Sequence, residues 1–152
     1  MRLALASLNT GETSNRGRSV ELVHIATQVP IGIRFYVLGC DSNEFKRIQR
    51  KQQAENLEKQ KRTRRGLYLA SPEETELLAL ELLSNLTTGW DQDDTDCDGN
   101  IISVSSDIQL EVGEFIPFSK EAARRIYSNP GYSWIREQID AAIGDRKDFL
   151  PQ

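Results

Sequence analysis

The chain has 152 residues, of which 38% are hydrophobic and 28% charged, and its formal net charge is −4. That length suits a single domain whose core needs no covalent staples, and the acidic total argues against general polyanion binding. The one histidine has no second histidine for a metal pair, no second thiolate or imidazole lies near Cys97 in the sequence, and no P-loop, GxGxxG or GxSxG motif is present.

The lead Leu3 to Leu8 reads as a short strand. Its apolar run falls short of the ~7–15 residues of a secretory core segment, and no stretch is apolar enough to span a membrane. Asn9 to Ser19 has the Gly/Ser/Thr/Asn composition of a loop. Two β-rich runs follow, Val20 to Thr27 and Ile31 to Leu38, with a turn at Gln28 to Gly32, so that residues 18–40 are expected to form a β-hairpin. His24 falls in the first run, beside no second histidine, and reads as an ordinary strand residue.

Gly39-Cys40-Asp41-Ser42 stops the hairpin and starts a helix, with Asp41 as the expected N-cap and Glu44 at the third helical position. Cys40 and Cys97 have no CxxC spacing and form no disulfide framework, which points to a cytosolic compartment. The helix over 43–65 is polar, with Phe45, Ile48, Ala54 and Leu57 as its apolar residues. So thin a stripe anchors a helix poorly, leaving a solvated helix or a partner-facing one. Residues 44–66 carry nine bases against three acids, whereas residues 67–115 carry twelve acids and no base. Such blocks either neutralise each other within the fold or meet a partner. The candidate partner-binding residues are Arg47, Arg50, Lys51, Lys61, Arg62, Arg64 and Arg65.

Ser71-Pro72-Glu73-Glu74 opens a Leu-rich helix over 72–88, with a stripe through Leu78, Leu82 and Leu86; Gly89 is expected to end it and Trp90 to fold back on its last turn. Residues 91–115 read as an acidic loop or insert with a small β-excursion, an acidic turn lying between strands near 100–105 and 108–112. Asp94, Asp96, Asp98 and Gly99 match the first positions of an EF-hand calcium loop, because hard cations take alternate oxygen ligands around a glycine turn. Ser105 stands where the bidentate Glu belongs, so these three aspartates are a weak calcium candidate and no metal or other cofactor is expected. Helices over Lys120 to Tyr127 and Tyr132 to Asp145 complete the C-terminal part, 119–150, the second with an apolar face of Tyr132, Ile135, Ile139, Ala142 and Ile143. Phe149 and Leu150 are expected to tuck back onto it. The expected fold is α+β, an N-terminal β-hairpin followed by about four helices. No catalytic residue can be named, and the expectation is a non-enzyme.

Val37-Leu38-Gly39-Cys40-Asp41-Ser42, Thr88-Gly89-Trp90, Pro117-Phe118-Ser119, Asn129-Pro130-Gly131-Tyr132-Ser133-Trp134-Ile135 and the run from Gln138 to Leu150 together carry a resemblance. In these segments the chain resembles the small tail assembly chaperones of long-tailed bacteriophages, over residues 19–150 and most specifically over 116–150. The resemblance implies a non-enzymatic factor of the host cytoplasm, absent from the finished virion. Its implied partners are the tape measure protein, which it binds, and tail tube subunits, which it helps recruit. The alternatives are a structural head–tail connector or tail subunit, and a nucleic-acid-binding module using the basic helix, which the acidic total disfavours.

Overall fold

The structure, a computed structural model, describes residues 2–62 and 71–150. The expected hairpin forms as β1 (Arg18–Val23) and β2 (Pro30–Val37), antiparallel with Val20 opposite Phe35. β1 stops at Val23 because His24 folds the chain into a turn: its Nδ1 accepts the Ala26 N–H at 3.1 Å, and its carbonyl accepts the Gln28 N–H at 2.8 Å. The lead is not a strand, and the segment after it is not simply a loop. Leu5–Leu8 is a 3-10 turn and Thr10–Arg16 is a short helix, α1, giving five helices rather than four. The signal was Asn9 followed three residues later by Glu12, whose N–H the Asn9 side chain accepts at 3.2 Å.

The basic helix is α2 (Asn43–Arg62); its expected last turn, 63–65, lies outside the described residues. Ser42, not Asp41, caps it. The Ser42 hydroxyl accepts the Phe45 N–H at 3.2 Å and donates to the Gly39 carbonyl at 2.6 Å. The Leu-rich helix, α3 (Pro72–Leu86), starts at Ser71 as expected, and its cap accepts the Glu74 N–H at 3.2 Å.

α3 ends at Leu86 without a terminating glycine, and Thr87 passes directly into β3 (Thr87–Thr95). Gly89 therefore lies in a strand opposite Tyr36, and Trp90 lies opposite Phe35 on the buried face. β3 pairs with β2 on one side and with β4 (Ile101–Ser105) on the other, in the order β1-β2-β3-β4. The acidic stretch is thus largely strand. Alternation puts Trp90 in the core and sends Asp91 and Asp93 to the outer face, where Arg34 receives both. The acidic turn joins β3 to β4, while β5 (Ile108–Glu111) pairs with β6 (Glu114–Ile116) in a separate hairpin.

α4 (Lys120–Ser128) and α5 (Ser133–Gly144) follow, with a 3-10 turn over Pro130–Tyr132 between them and another over Arg146–Phe149 after them. The inner face of the sheet (Val20, Leu22, Phe35, Val37, Trp90) packs with Leu80, Leu83 and Leu86 of α3, Ala123, Ile126 and Tyr127 of α4, and the expected face of α5. Phe149 tucks into this core. Trp90 is central: its ring lies 5.3 Å from Phe35 and 5.1 Å, edge-on, from Phe118, and its Nε1–H donates to the Ile116 carbonyl at 3.1 Å.

Candidate partner-binding surfaces

α2 carries the expected basic residues, and α3 lies beside it with acids facing them. Lys51 pairs with Glu81 at 2.8 Å and Lys59 with Glu74 at 3.5 Å, while Gln52 donates to the Leu78 carbonyl at 2.9 Å. The Lys51 ammonium holds the Glu81 carboxyl below its usual range. Arg47 pairs with Glu44 and Arg62 with Glu58 along the helix itself. Two of the charge blocks therefore meet within the fold. Arg50 and Lys61 are exposed and have no ion pair among the described residues; Arg64 and Arg65 lie outside them. The steps from Arg50 to Ala54, Leu57 and Lys61 are four, three and four, so all four share one solvent-facing stripe of α2. Leu57 is 54% exposed there, between two cations.

A second feature was not foreseen. An apolar recess of about 140 Å³ opens where α5 meets the sheet and the β5–β6 hairpin. Leu22, Ile31, Ile33 and Phe35 form its sheet side, Tyr132, Trp134 and Ile135 its helical wall, and Ile108 and Leu110 its hairpin side. Trp134 is half-buried at this rim, packed against the core. Reading α5 alone could not reveal the recess, since its sheet side comes from residues a hundred positions earlier.

A third feature is the ion cluster on the outer face of the sheet. Arg34 Nη2 and Nη1 reach the two Asp93 oxygens at 2.7 and 3.2 Å, and Arg34 Nε reaches Asp91 Oδ1 at 2.7 Å. The Tyr36 hydroxyl donates to Asp91. Hydrogen bonding to Asp93 raises the Arg34 guanidinium further above its usual range, and the same contact lowers the Asp93 carboxyl. Donation to Asp91 raises the Tyr36 phenol. The arrangement sets one cation between two of the acids of β3 and zips β2 to β3; the readable signal was Asp at alternate positions 91 and 93 opposite a lone Arg.

The weak calcium candidates separate. Asp94 lies on β3 and accepts the Ser103 hydroxyl at 3.0 Å. Asp96 accepts the N–H groups of Asp98 and Asn100 within the turn, both at 2.9 Å, and all three aspartates are exposed. No group of three or more possible metal ligands forms among the described residues. Cys40 is half-buried and Cys97 exposed, and neither is in a disulfide. No helix among the described residues is long and apolar enough to cross a membrane. Comparisons with protein-family models, with curated proteins and with solved structures find no match.

Proposed function

We propose that the chain is a non-enzymatic assembly chaperone of a long-tailed bacteriophage, acting in the host cytoplasm on the tape measure protein and helping to recruit tail tube subunits. One observation carries the reading. Within 116–150, where the resemblance is most specific, Tyr132, Trp134 and Ile135 contribute to the wall of the open apolar recess. A tape measure protein exposes helical apolar stripes until the tube encloses it, and a recess of this size accepts one aliphatic side chain of such a stripe. The exposed stripe of α2, with Leu57 between Arg50 and Lys61, suits an acidic amphipathic stretch of the same client. Its charges contribute orientation and association rate more than affinity. Phosphate binding by α2 is the weaker use of these bases, because Lys51 and Lys59 are engaged by acids of α3.

The test is co-expression with the candidate tape measure and tube proteins of the same genome, followed by pull-down and size-exclusion chromatography. A soluble complex that forms only when this chain is present supports the proposal. Clients that stay insoluble while the chain elutes alone refute it, and detection of the chain in purified virions would replace it with a structural tail subunit.

A further inference from the structure

Residues 94–104 are all exposed, so the end of the β3–β4 hairpin is a projecting two-stranded arm. Ile101, Ile102 and Val104 of β4 are 63%, 67% and 56% exposed. β4 is the last strand of its sheet and pairs only with β3 among the described residues, which leaves the peptide groups along its other edge open. Proteins ordinarily blunt such an edge with lysine, proline or a bulge. Ile101-Ile102-Ser103-Val104-Ser105 has no charge, no proline and no glycine; its one irregularity is at Ile102, skipped between the Asp94–Ser103 and Thr95–Ile101 pairs, and Ser103 to Ser105 pair regularly. A two-stranded arm without a packed face is marginal alone, and a third strand is the element that stabilises it.

Charge says which strand. Asp96 and Asp98 lie in the turn at one end of β4, Asp107 lies just past the other, and Asp94 sits across from Ser103. None of these four has an ion pair among the described residues; the Arg34 guanidinium is held by Asp91 and Asp93. We infer that the free edge of β4 is a strand-addition site for an extended cationic segment of a partner protein, with apolar side chains at alternate positions between its lysines or arginines. Main-chain pairing would supply affinity, and the exposed Ile101, Ile102 and Val104 would pack against the apolar side chains of that segment. A second copy of this chain fits less well. Antiparallel self-pairing centred on Ser103 sets Ile102 opposite Val104 of the other copy, but it brings each acidic turn against the other Asp107. This site is separate from the recess at Trp134 and does not rest on the chaperone reading.

The test uses the full chain and a fluorescent peptide of about nine residues alternating valine and lysine, followed by anisotropy at low and raised salt. Saturable binding that weakens with salt is expected. A peptide of the same composition without alternation, and one N-methylated at alternate residues, are expected not to bind. Ile102→Lys with Val104→Lys should weaken binding about tenfold or more, and Asp98→Lys severalfold, by like-charge repulsion. These side chains are exposed, and an unchanged unfolding midpoint shows that the variants remain folded. Equal binding of the scrambled or N-methylated peptide overturns the proposal, as does absence of binding at low salt. A concentration-dependent dimer that Ile102→Lys abolishes overturns it in favour of self-pairing.

Discussion

Asp41 and Arg146, 105 residues apart in the chain, meet as a forked pair, with Arg146 Nε 2.7 Å and Nη2 3.1 Å from the two carboxylate oxygens. The Cys40 N–H donates to the Ile143 carbonyl at 3.1 Å beside them. On the same seam Arg18 pairs with Asp148 at 2.9 Å and stacks 5.6 Å from the centre of the Phe149 ring. The Gly39-Cys40-Asp41-Ser42 turn is thereby fastened to the end of α5 and the C-terminal turn. Two of the segments that carry the family resemblance are thus one contact.

The Arg146 guanidinium, with a further hydrogen bond from Thr10, holds the Asp41 carboxyl below its ordinary 3.8. A lowered folded-state value contributes stability that is present above the unfolded value and lost as pH falls through the folded one. Arg146→Met is therefore expected to lower the urea midpoint at neutral pH, and the deficit is expected to shrink at acid pH as Asp41 becomes protonated. Urea titrations at the two pH values check this. An equal deficit at both would assign the effect to packing of the arginine stem.

Gly39 stands where no side chain fits. A β-carbon there would meet Ser14 Oγ at 2.4 Å, Ser14 Cβ at 2.9 Å and the Phe149 ring at 3.1 Å. Gly39→Ala is expected to cost about 1–3 kcal/mol by overpacking. The Ser14 hydroxyl is buried without a hydrogen-bond partner among the described residues, so Ser14→Ala removes an unsatisfied group and should be neutral or stabilising by up to about 1 kcal/mol. Because Ser14→Ala also removes the nearest clashing atom, the double variant should lose less than the sum of the two. Denaturant melts of the four proteins form the cycle.

What could be read from the sequence divides along physical lines. Local signals served well: the Ser71-Pro72 start of α3 and the apolar face of α5 depend on neighbours a turn or two away. The course of 87–95 did not, because Asp91 and Asp93 read as loop residues until Arg34, nearly sixty positions earlier, is set beside them. The leucine stripe shows the same limit. Spacing favoured Leu78, Leu82 and Leu86 with Leu83 beside them, whereas the buried set is Leu80, Leu83 and Leu86, because α3 packs on α4 on one side and α2 on the other. Leu83→Ala should accordingly cost about 2–5 kcal/mol, while Leu77→Ala, at a side chain 54% exposed, should stay within about 0.5 kcal/mol. Chemical denaturation of both variants decides it; similar costs would place Leu77 in a packed interface.

Tyr127 is 1% exposed, and its hydroxyl lies 2.6 Å from that of Thr87, which itself reaches the Leu83 carbonyl at 2.8 Å. Thr87 has one proton and gives it to Leu83, so Tyr127 donates. Tyr127→Phe removes that donor and should cost about 1 kcal/mol. Burial also pushes the phenol well above its ordinary 10.0. A raised folded-state value means the unfolded chain releases the proton first, so stability is full below about pH 10 and declines above it. The wild-type midpoint should fall with alkalinity more steeply than that of Tyr127→Phe. Parallel curves would show that other groups carry the alkaline loss.

The bases of α2 divide by what they touch, and so should the effects of reversing them. Lys51 bonds Glu81, so Lys51→Glu puts two acids together between α2 and α3 and lowers the unfolding midpoint whether or not a client is present. Arg50 and Lys61 have no ion pair among the described residues and flank the exposed Leu57, so Arg50→Glu with Lys61→Glu should leave the midpoint nearly unchanged. If this stripe meets an acidic stretch of the tape measure protein, the same double variant should recover less client in pull-downs at low salt, and the difference should narrow as salt is raised. Adding Leu57→Ala should deepen the loss at every salt concentration, since apolar contact is not screened. Undiminished recovery with the triple variant would remove α2 from the client interface and leave the recess at Trp134 as the surface to probe.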